Sequence, residues 1–415
     1  MSEYIIEKKR LLPRFENMIK DFCGNTSIHS VLSVKGLVDK KKFEQAVQKL
    51  VDENDVFRFV FEKTPEQSHC YSVLKTLKYE LDFRTLHGNS REERYQDFLK
   101  QVEKMDYEAD DMNKKRPWDI VLFELDKEES IFFLRMSHLI GDGQSNVLVW
   151  QKLSDAYKDS VCQKNPGFNN YLIELENYEN SPEGKRHLSN WQECINSYEQ
   201  IKRNSDIDNI ASKAQFLFVL KRNELEKFTR KNKMSLFHVN LFCFHAALSK
   251  TFRKSESLIK VATGLRSLKY SSTVGFFTSG ILCKFKIAPD KKMSELAMKC
   301  RDNYFYAEKN IKGGYSTAGC DLTLTYQNYS RPKEQLFSGF MANAEAIPHL
   351  LKLNFSVISV VEKGDDILFS GWFDKRLFSS EKLEEFKKNY VTCAEFLIDE
   401  DKTFGEFLSD TKEVI

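Results

Sequence analysis

The chain reads as an α/β (α+β) protein built of two similar-sized lobes, and three observations predict it. Its 415 residues exceed the size at which one hydrophobic core stops growing. Strand-like and helix-like apolar patterns occur in both halves. Between Gln163 and Asn190 the chain turns polar, with Pro166-Gly167 and "NSPEGK" at 180–185. That stretch predicts the boundary, with lobes over 1–178 and 179–415 and a cut good to about ten residues.

Each element follows from its pattern. "DKKKFEQAVQKLVDEN" puts Phe43, Ala46, Val47, Leu50 and Val51 on one helical face, and "VFRFVFEK" behind it has the aromatic and β-branched content of a strand. "DIVLFELDKEESIFFLRMSH" reads as two strands joined by a polar turn at Asp126 to Ser130, which leaves His138 at a strand end. From Gln144 to Tyr157, the spacing of Val149, Leu153, Ala156 and Tyr157 marks a helix. "HLIGDG" is then a tight strand-to-helix connection, and Gly141 and Gly143 suit the bend.

In the second half, "MSLFHVNLFCFHAALSKTF" is apolar nearly all round behind Ser235, a candidate N-cap, and predicts a buried helix. Strands follow at "LIKVATG", "ILCKFKI" and "LTLTYQN", then a hairpin "FSVISVVEKGDDILFSGWF" turning at Lys363 to Asp366. A last helix starts at Ser380 with Leu383, Phe386, Tyr390, Cys393 and Leu397 on one face.

Composition narrows the function. Hydrophobic residues are 41% of the chain and phenylalanine alone occurs 33 times, enough apolar volume for a core without staples. With 63 basic against 61 acidic side chains, the net charge of +2 offers no broad field for nucleic acid or an anionic membrane. The nine cysteines stand singly at 23, 70, 162, 194, 243, 283, 300, 320 and 393, an odd number without a Cys-x-x-Cys pair, so neither a disulfide framework nor a metal site is expected. The start, "MSEYIIEKKRLLPRF", lacks the apolar centre of a signal peptide, and no apolar run reaches the ~18 residues that span a bilayer. A soluble, unprocessed, monomeric protein of the cytoplasm is expected.

The chemistry concentrates in "RMSHLIGDGQS" at 135–145. Imidazole can take a proton from an attacking amine or hydroxyl near neutrality and return it later. A carboxylate four residues on can orient that ring, as in a triad, or turn away and brace the loop by pairing with an arginine. The spacing does not choose between these. His238 and His245, seven apart on a buried apolar helix, read as packed residues and not as ligands. "NKKRP" at 113–117 reads as a solvated turn.

Set among its neighbours, "SHLIGDG" resembles the His-His-x-x-x-Asp-Gly signature of the condensation domains of nonribosomal peptide synthetases, within the wider chloramphenicol-acetyltransferase-like acyltransferases. "SIHSVLSVKGLVDKKKFEQAVQKLVDENDVFRFVFE" is similar to the family's opening strand, helix and Arg-containing strand, with Arg58 and Phe61 at its second arginine and final Phe. "STVGFFTSGILCKF" resembles its Gly-x-Phe-x-Asn-Thr segment and "LTLTYQNYS" its Tyr/Phe-Gln-Asn strand, in the family's order along nearly the whole chain. Departures are Ser137 for the first histidine, Glu53-Asn54 for Arg-His, and Ser279 for the Asn of Gly-x-Phe-x-Asn.

The resemblance implies two chloramphenicol-acetyltransferase-like lobes in a V-shaped pseudo-dimer with an active-site tunnel between them. It implies a phosphopantetheine thioester as acyl donor, on a carrier protein or as coenzyme A, with no permanently bound cofactor and no metal. His138 would be the general base or position the nucleophile, and Gly143 would offer its N–H to the oxyanion. Asp142 would turn away and pair with Arg58. Tyr326, Gln327, Asn328 and Trp372 are the candidate substrate contacts. With neither adenylation region nor carrier segment expected in it, the chain would act free-standing on partners: an acyl or peptidyl carrier protein and a small amine or alcohol. The expected activity is amide formation. The alternatives are a coenzyme A-dependent acyltransferase forming an ester, an epimerisation domain, and a catalytically silent docking module.

Overall fold

The computed structural model describes the chain apart from residues 1–2, 23–26, 37, 67, 108–115, 161–164, 208–210, 312, 314–318, 328–341, 346–354, 364–365, 399–401 and 411–415. Packing groups the chain into two compact units. The first comprises Met1–Tyr178, Gly264–Thr278 and Tyr329–His349, and the second Glu179–Thr263, Ser279–Asn328 and Leu350–Ile415. A contiguous division into halves therefore misses two segments of the second half that pack with the first. The 264–278 segment is held there by polar contacts described below, which outweigh its place in the sequence.

In chain order the first unit contains β1 (Tyr4–Arg10), α1 (Pro13–Asp21), β2 (Ser27–Lys35), α2 (Lys40–Glu53), β3 (Phe59–Lys63), β4 (His69–Leu74), β5 (Asp82–Thr85), α3 (Arg91–Tyr107), β6 (Trp118–Glu124), β7 (Glu129–Ser137), α4 (Gly143–Tyr157) and α5 (Phe168–Asn180). The Asp39 side chain accepts from the Lys42 N–H and starts α2, which buries the five apolar residues its spacing marks. β6 and β7 form the predicted antiparallel pair, Trp118 opposite Met136 through Glu124 opposite Ser130. β7 also pairs along its whole length with β2, from Ser27 opposite Ser137 to Lys35 opposite Glu129. These strands make the centre of a five-stranded sheet ordered β12-β2-β7-β6-β5, where β12 is Ala342–Glu345. A separate three-stranded sheet, β1-β4-β3, was not apparent in the sequence.

The predicted strand at 56–63 begins only at Phe59, because Asp55–Arg58 is a 3-10 turn. Two contacts hold that turn. The Asp55 carboxylate accepts from the N–H groups of Phe168 and Asn169 at 2.8 and 2.9 Å, and the Arg58 guanidinium folds back onto the carbonyls that end α2. The polar stretch read as a boundary is helical for much of its length. α5 buries Phe168, Tyr171, Leu172 and Leu175, an i, i+3, i+4, i+7 pattern, and α6 (Pro182–Asn196) starts behind Ser181, whose hydroxyl accepts from the Gly184 N–H.

The second unit continues with β8 (Ala211–Lys221), α7 (Arg222–Asn232), α8 (Leu236–Phe252), β9 (Glu256–Gly264), β10 (Thr278–Lys286), α9 (Met293–Asn310), β11 (Leu322–Gln327), β13 (Val357–Lys363), β14 (Asp366–Asp374), α10 (Ser380–Ile398) and α11 (Phe404–Ser409). Its six-stranded sheet runs β10-β9-β11-β13-β14-β8, parallel from β9 to β13 and antiparallel from β13 to β8. The hairpin pairs Lys363 with Asp366 as expected. Ser235 caps α8, whose side chains are buried almost all round, and α8 and α10 pack into the sheet's main core.

Candidate active site

β7 delivers the histidine. Its last residue, Ser137, donates its N–H to the Pro117 carbonyl at 2.7 Å and accepts at its own carbonyl from the Ile140 N–H at 3.0 Å, so the chain turns at once after the strand. The Ser137 hydroxyl accepts from the Leu139 N–H at 3.2 Å and tightens the same bend. Met136 lies against the turn so closely that a Cβ on Gly141 would fall 2.2 Å from its terminal methyl.

His138 Nδ1 lies 3.0 Å from the Gly141 carbonyl oxygen. A carbonyl only accepts, so Nδ1 carries the proton, and in the neutral ring Nε2 keeps its lone pair. Burial lowers the pKa of His138 from 6.5, against the opposing effects of the Gly141 contact and the Asp142 charge. The ring is therefore held neutral, as a proton acceptor must be. Phe22 and Phe276 contact it, with ring centroids 5.3 and 5.7 Å away.

Asp142 is no member of a triad. It is the N-cap of α4, and its Oδ1 accepts from the Ser145 N–H at 2.8 Å. Oδ1 also lies 3.0 Å from Arg266 Nη2, and Oδ2 accepts from the Phe277 N–H at 3.0 Å. The pairing with Arg58 is thus overturned: the partner of Asp142 is Arg266. Arg58 instead donates to the main-chain carbonyls of Val51, of Asp52 at 2.8 Å and of Leu74 at 3.2 Å. Those acceptors, two at the end of α2 and one at the end of β4, consume its planar fork.

Sequence reasoning missed the rest of this knot. Arg266 Nη1 donates to the Thr273 carbonyl, and the guanidinium lies 4.1 Å from the Phe277 ring centroid. Ser145 Oγ is within 2.6 Å of the Gly275 carbonyl and accepts from the Gly275 N–H at 3.1 Å. A Cβ on Gly275 would fall 2.2 Å from the Phe168 ring. "VGFFTSG" marked part of this segment, but no local pattern points from Asp142 to an arginine 124 residues away.

Gly143 opens α4, and the first amides of a helix lack intrahelical acceptors and stand at its positive end. His138, Gly143, Asp142 and Ser137 thus share one turn of the first unit. The remaining candidates lie on the sheet of the second unit. Tyr326 donates to Glu362 Oε1 at 2.6 Å, and burial holds its phenol far above the ordinary pKa. Gln327 ends β11 opposite Val361, and Trp372 on β14 stands opposite Val357 and Lys213. Asn328 lies outside the described residues, as do Asn113 to Lys115 of the basic run. Among the described residues there is no group of three His, Cys, Asp or Glu side chains arranged to hold a metal ion, and no helix long and apolar enough to cross a membrane.

Residues 24–404 match the condensation domain family. Among curated proteins, surfactin synthase subunit 2 of Bacillus subtilis (strain 168) is 19% identical over 397 residues, which are 89% of this chain and 11% of that protein. The chain therefore spans about a tenth of that relative's length. The condensation domain from the Monacolin K polyketide synthase superposes with a TM-score of 0.77 at 13% identity, covering 96% of this chain and 99% of the other. The epimerization domain from the third module of tyrocidine synthetase B gives 0.74 at 14% identity, with coverages of 96% and 99%. The likeness in structure carries the two-lobed, mixed α/β fold, and the match over nearly all of the sequence carries the family: this chain belongs to the condensation domain family of acyltransferases.

Proposed function

We propose that the chain moves an acyl or aminoacyl group from the phosphopantetheine thioester of a carrier protein to an amine, forming an amide. The amine nitrogen attacks the thioester carbonyl while His138 Nε2 takes its proton. The tetrahedral intermediate collapses with cleavage of the C–S bond, and the imidazolium returns the proton to the leaving thiolate, so that free carrier thiol and amide are the products. The Gly143 N–H stabilises the oxyanion from the positive end of α4. The thioester is substrate, and the protein itself supplies a proton acceptor and a donor to the oxyanion.

The observation that supports this reading most is the neutral His138, its Nδ1–H spent on the Gly141 carbonyl and its Nε2 left as the acceptor. Asp142 cannot take part in the proton transfer while its oxygens are occupied by Ser145, Arg266 and Phe277. Its role is to hold the turn.

The test is free-thiol release from a panel of acyl-phosphopantetheine carriers and acyl-coenzyme A thioesters, offered mixed amines and alcohols. His138→Ala should lower the rate by roughly 100-fold or more with the fold retained. Equal slow rates in wild type and variant would remove His138 from the chemistry and favour a silent docking module. Turnover of the coenzyme A thioesters with an alcohol, and none from the carriers, would replace amide formation by ester formation.

A further inference from the structure

The Asp142–Arg266 knot makes no hydrogen bond to His138, yet it fixes both peptide groups around a residue that touches the ring. Gly275 is tied through its N–H and its carbonyl to Ser145 Oγ, and the Phe277 N–H donates to Asp142 Oδ2. Phe276 stands between these two anchored peptides. Its side chain is 3% exposed and meets the imidazole edge to face, at an interplanar angle of 77°, and Phe15 backs it with centroids 5.8 Å apart. A second ring reaches His138 from another element: Phe22, 8% exposed, directly follows α1 and has its N–H bonded to the Met18 carbonyl at 3.0 Å.

We propose that Phe276, clamped by the buried Asp142–Arg266–Ser145 knot, and Phe22 are positioning residues that keep His138 desolvated in its Nδ1–H tautomer, with Nε2 left to take a proton. The ion pair then acts on the histidine through an aromatic wall and not through a hydrogen bond. Two features support this. Burial is the first cause of the depressed His138 pKa, and these rings supply apolar surface against the imidazole. Asp142 is the charge that acts on the ring, and it pulls the other way, so the wall must outweigh it. The inference rests on reading His138 as the base.

The experiment is a histidine ring titration by NMR on the full chain, which requires no turnover. Phe276→Ala admits water to the ring and should raise the His138 midpoint toward the ordinary value of about 6.5. Phe22→Ala should move it in the same direction. Phe276→Leu keeps an apolar wall and should stay close to the wild type, which guards against a poorly folded alanine variant. Phe98→Leu, in a separate core cluster of the same unit, is the control and should leave the midpoint in place. In a carrier-thioester assay, Phe276→Ala should lower kcat about tenfold with KM within about twofold, and the acid limb of the rate profile should move up with the NMR midpoint. An unmoved midpoint in both alanine variants, or an equal shift in Phe98→Leu, overturns the proposal. Shifts as expected, combined with full activity in His138→Ala, support the positioning and overturn the base assignment instead.

Discussion

Removing the Arg266 guanidinium would leave Asp142 buried with the N–H groups of Ser145 and Phe277 but without its counter-charge. A carboxylate stranded in this way costs about 3–5 kcal/mol, so Arg266→Met should be strongly destabilising. Asp142→Asn in the same chain removes the stranded charge and should recover about 1 kcal/mol or more, a coupling that a double-mutant cycle reads directly. Arg58→Met should cost about 1–3 kcal/mol through unpaired carbonyls at the end of α2, yet its coupling to Asp142→Asn should stay within about 0.5 kcal/mol. Urea denaturation of the singles and doubles checks all of these values, and a large 58–142 coupling would reinstate the pairing that the resemblance implied. At this scale the histidine and the aspartate were legible because their relation is local, four residues along one turn. The arginine was not, since the two side chains meet only through the fold and neither Arg58 nor Arg266 carries a local mark of its partner.

The 264–278 segment is the element on which the site depends, and its fit against α5 is close. A Cβ at 275 would fall 2.2 Å from the Phe168 ring, which is itself buried and packed against Phe59, Tyr171 and Phe277. Gly275→Ala should therefore push the segment away from the α4 cap and cost about 1–3 kcal/mol by overpacking. Adding Phe168→Leu should return part of that loss, and thermal melts of the two variants and their combination check it. α2, α4 and α10 could be read from the sequence because one face of each meets a core, and β6, β7 and α8 because their apolar runs are buried almost throughout. α5 and α6 were hidden by polar residues on their open faces and by the Pro-Gly and Ser-Pro pairs, which here stand at the starts of the two helices, with Ser181 as the cap of α6. The turn at 55–58 was hidden for another reason. Its residues have strand-like character, but side-chain contacts from Asp55 and Arg58 decide its backbone.

For the whole molecule, the dependence of stability on pH should carry two opposed contributions from the second unit. His245 is fully buried on α8 with Nδ1 2.7 Å from the Ser257 hydroxyl, and burial lowers its pKa to about 3. Between about pH 6.5 and 3 the unfolded chain takes up a proton that the folded chain refuses, so this residue removes about 1.4 kcal/mol of stability for each unit of acidification. Asp321, buried beneath Tyr198 and the Leu258 N–H, is raised by burial from 3.8 to about 6. Between about pH 6 and 4 the folded chain holds a proton that the unfolded chain has released, so Asp321 returns about the same amount per unit as the pH falls. Over that window the two contributions oppose each other, and single variants are needed to separate them. Asp321→Asn should unmask the histidine, losing stability relative to the wild type by about 1.4 kcal/mol per unit between pH 6 and 4. His245→Asn should do the reverse, and the double variant should follow the wild-type slope at a constant offset. Urea melts of the four proteins at pH 4, 5 and 6 decide this: parallel curves for all four would mean that neither group changes its proton affinity on folding, and a slope in one single variant alone would identify the group that does.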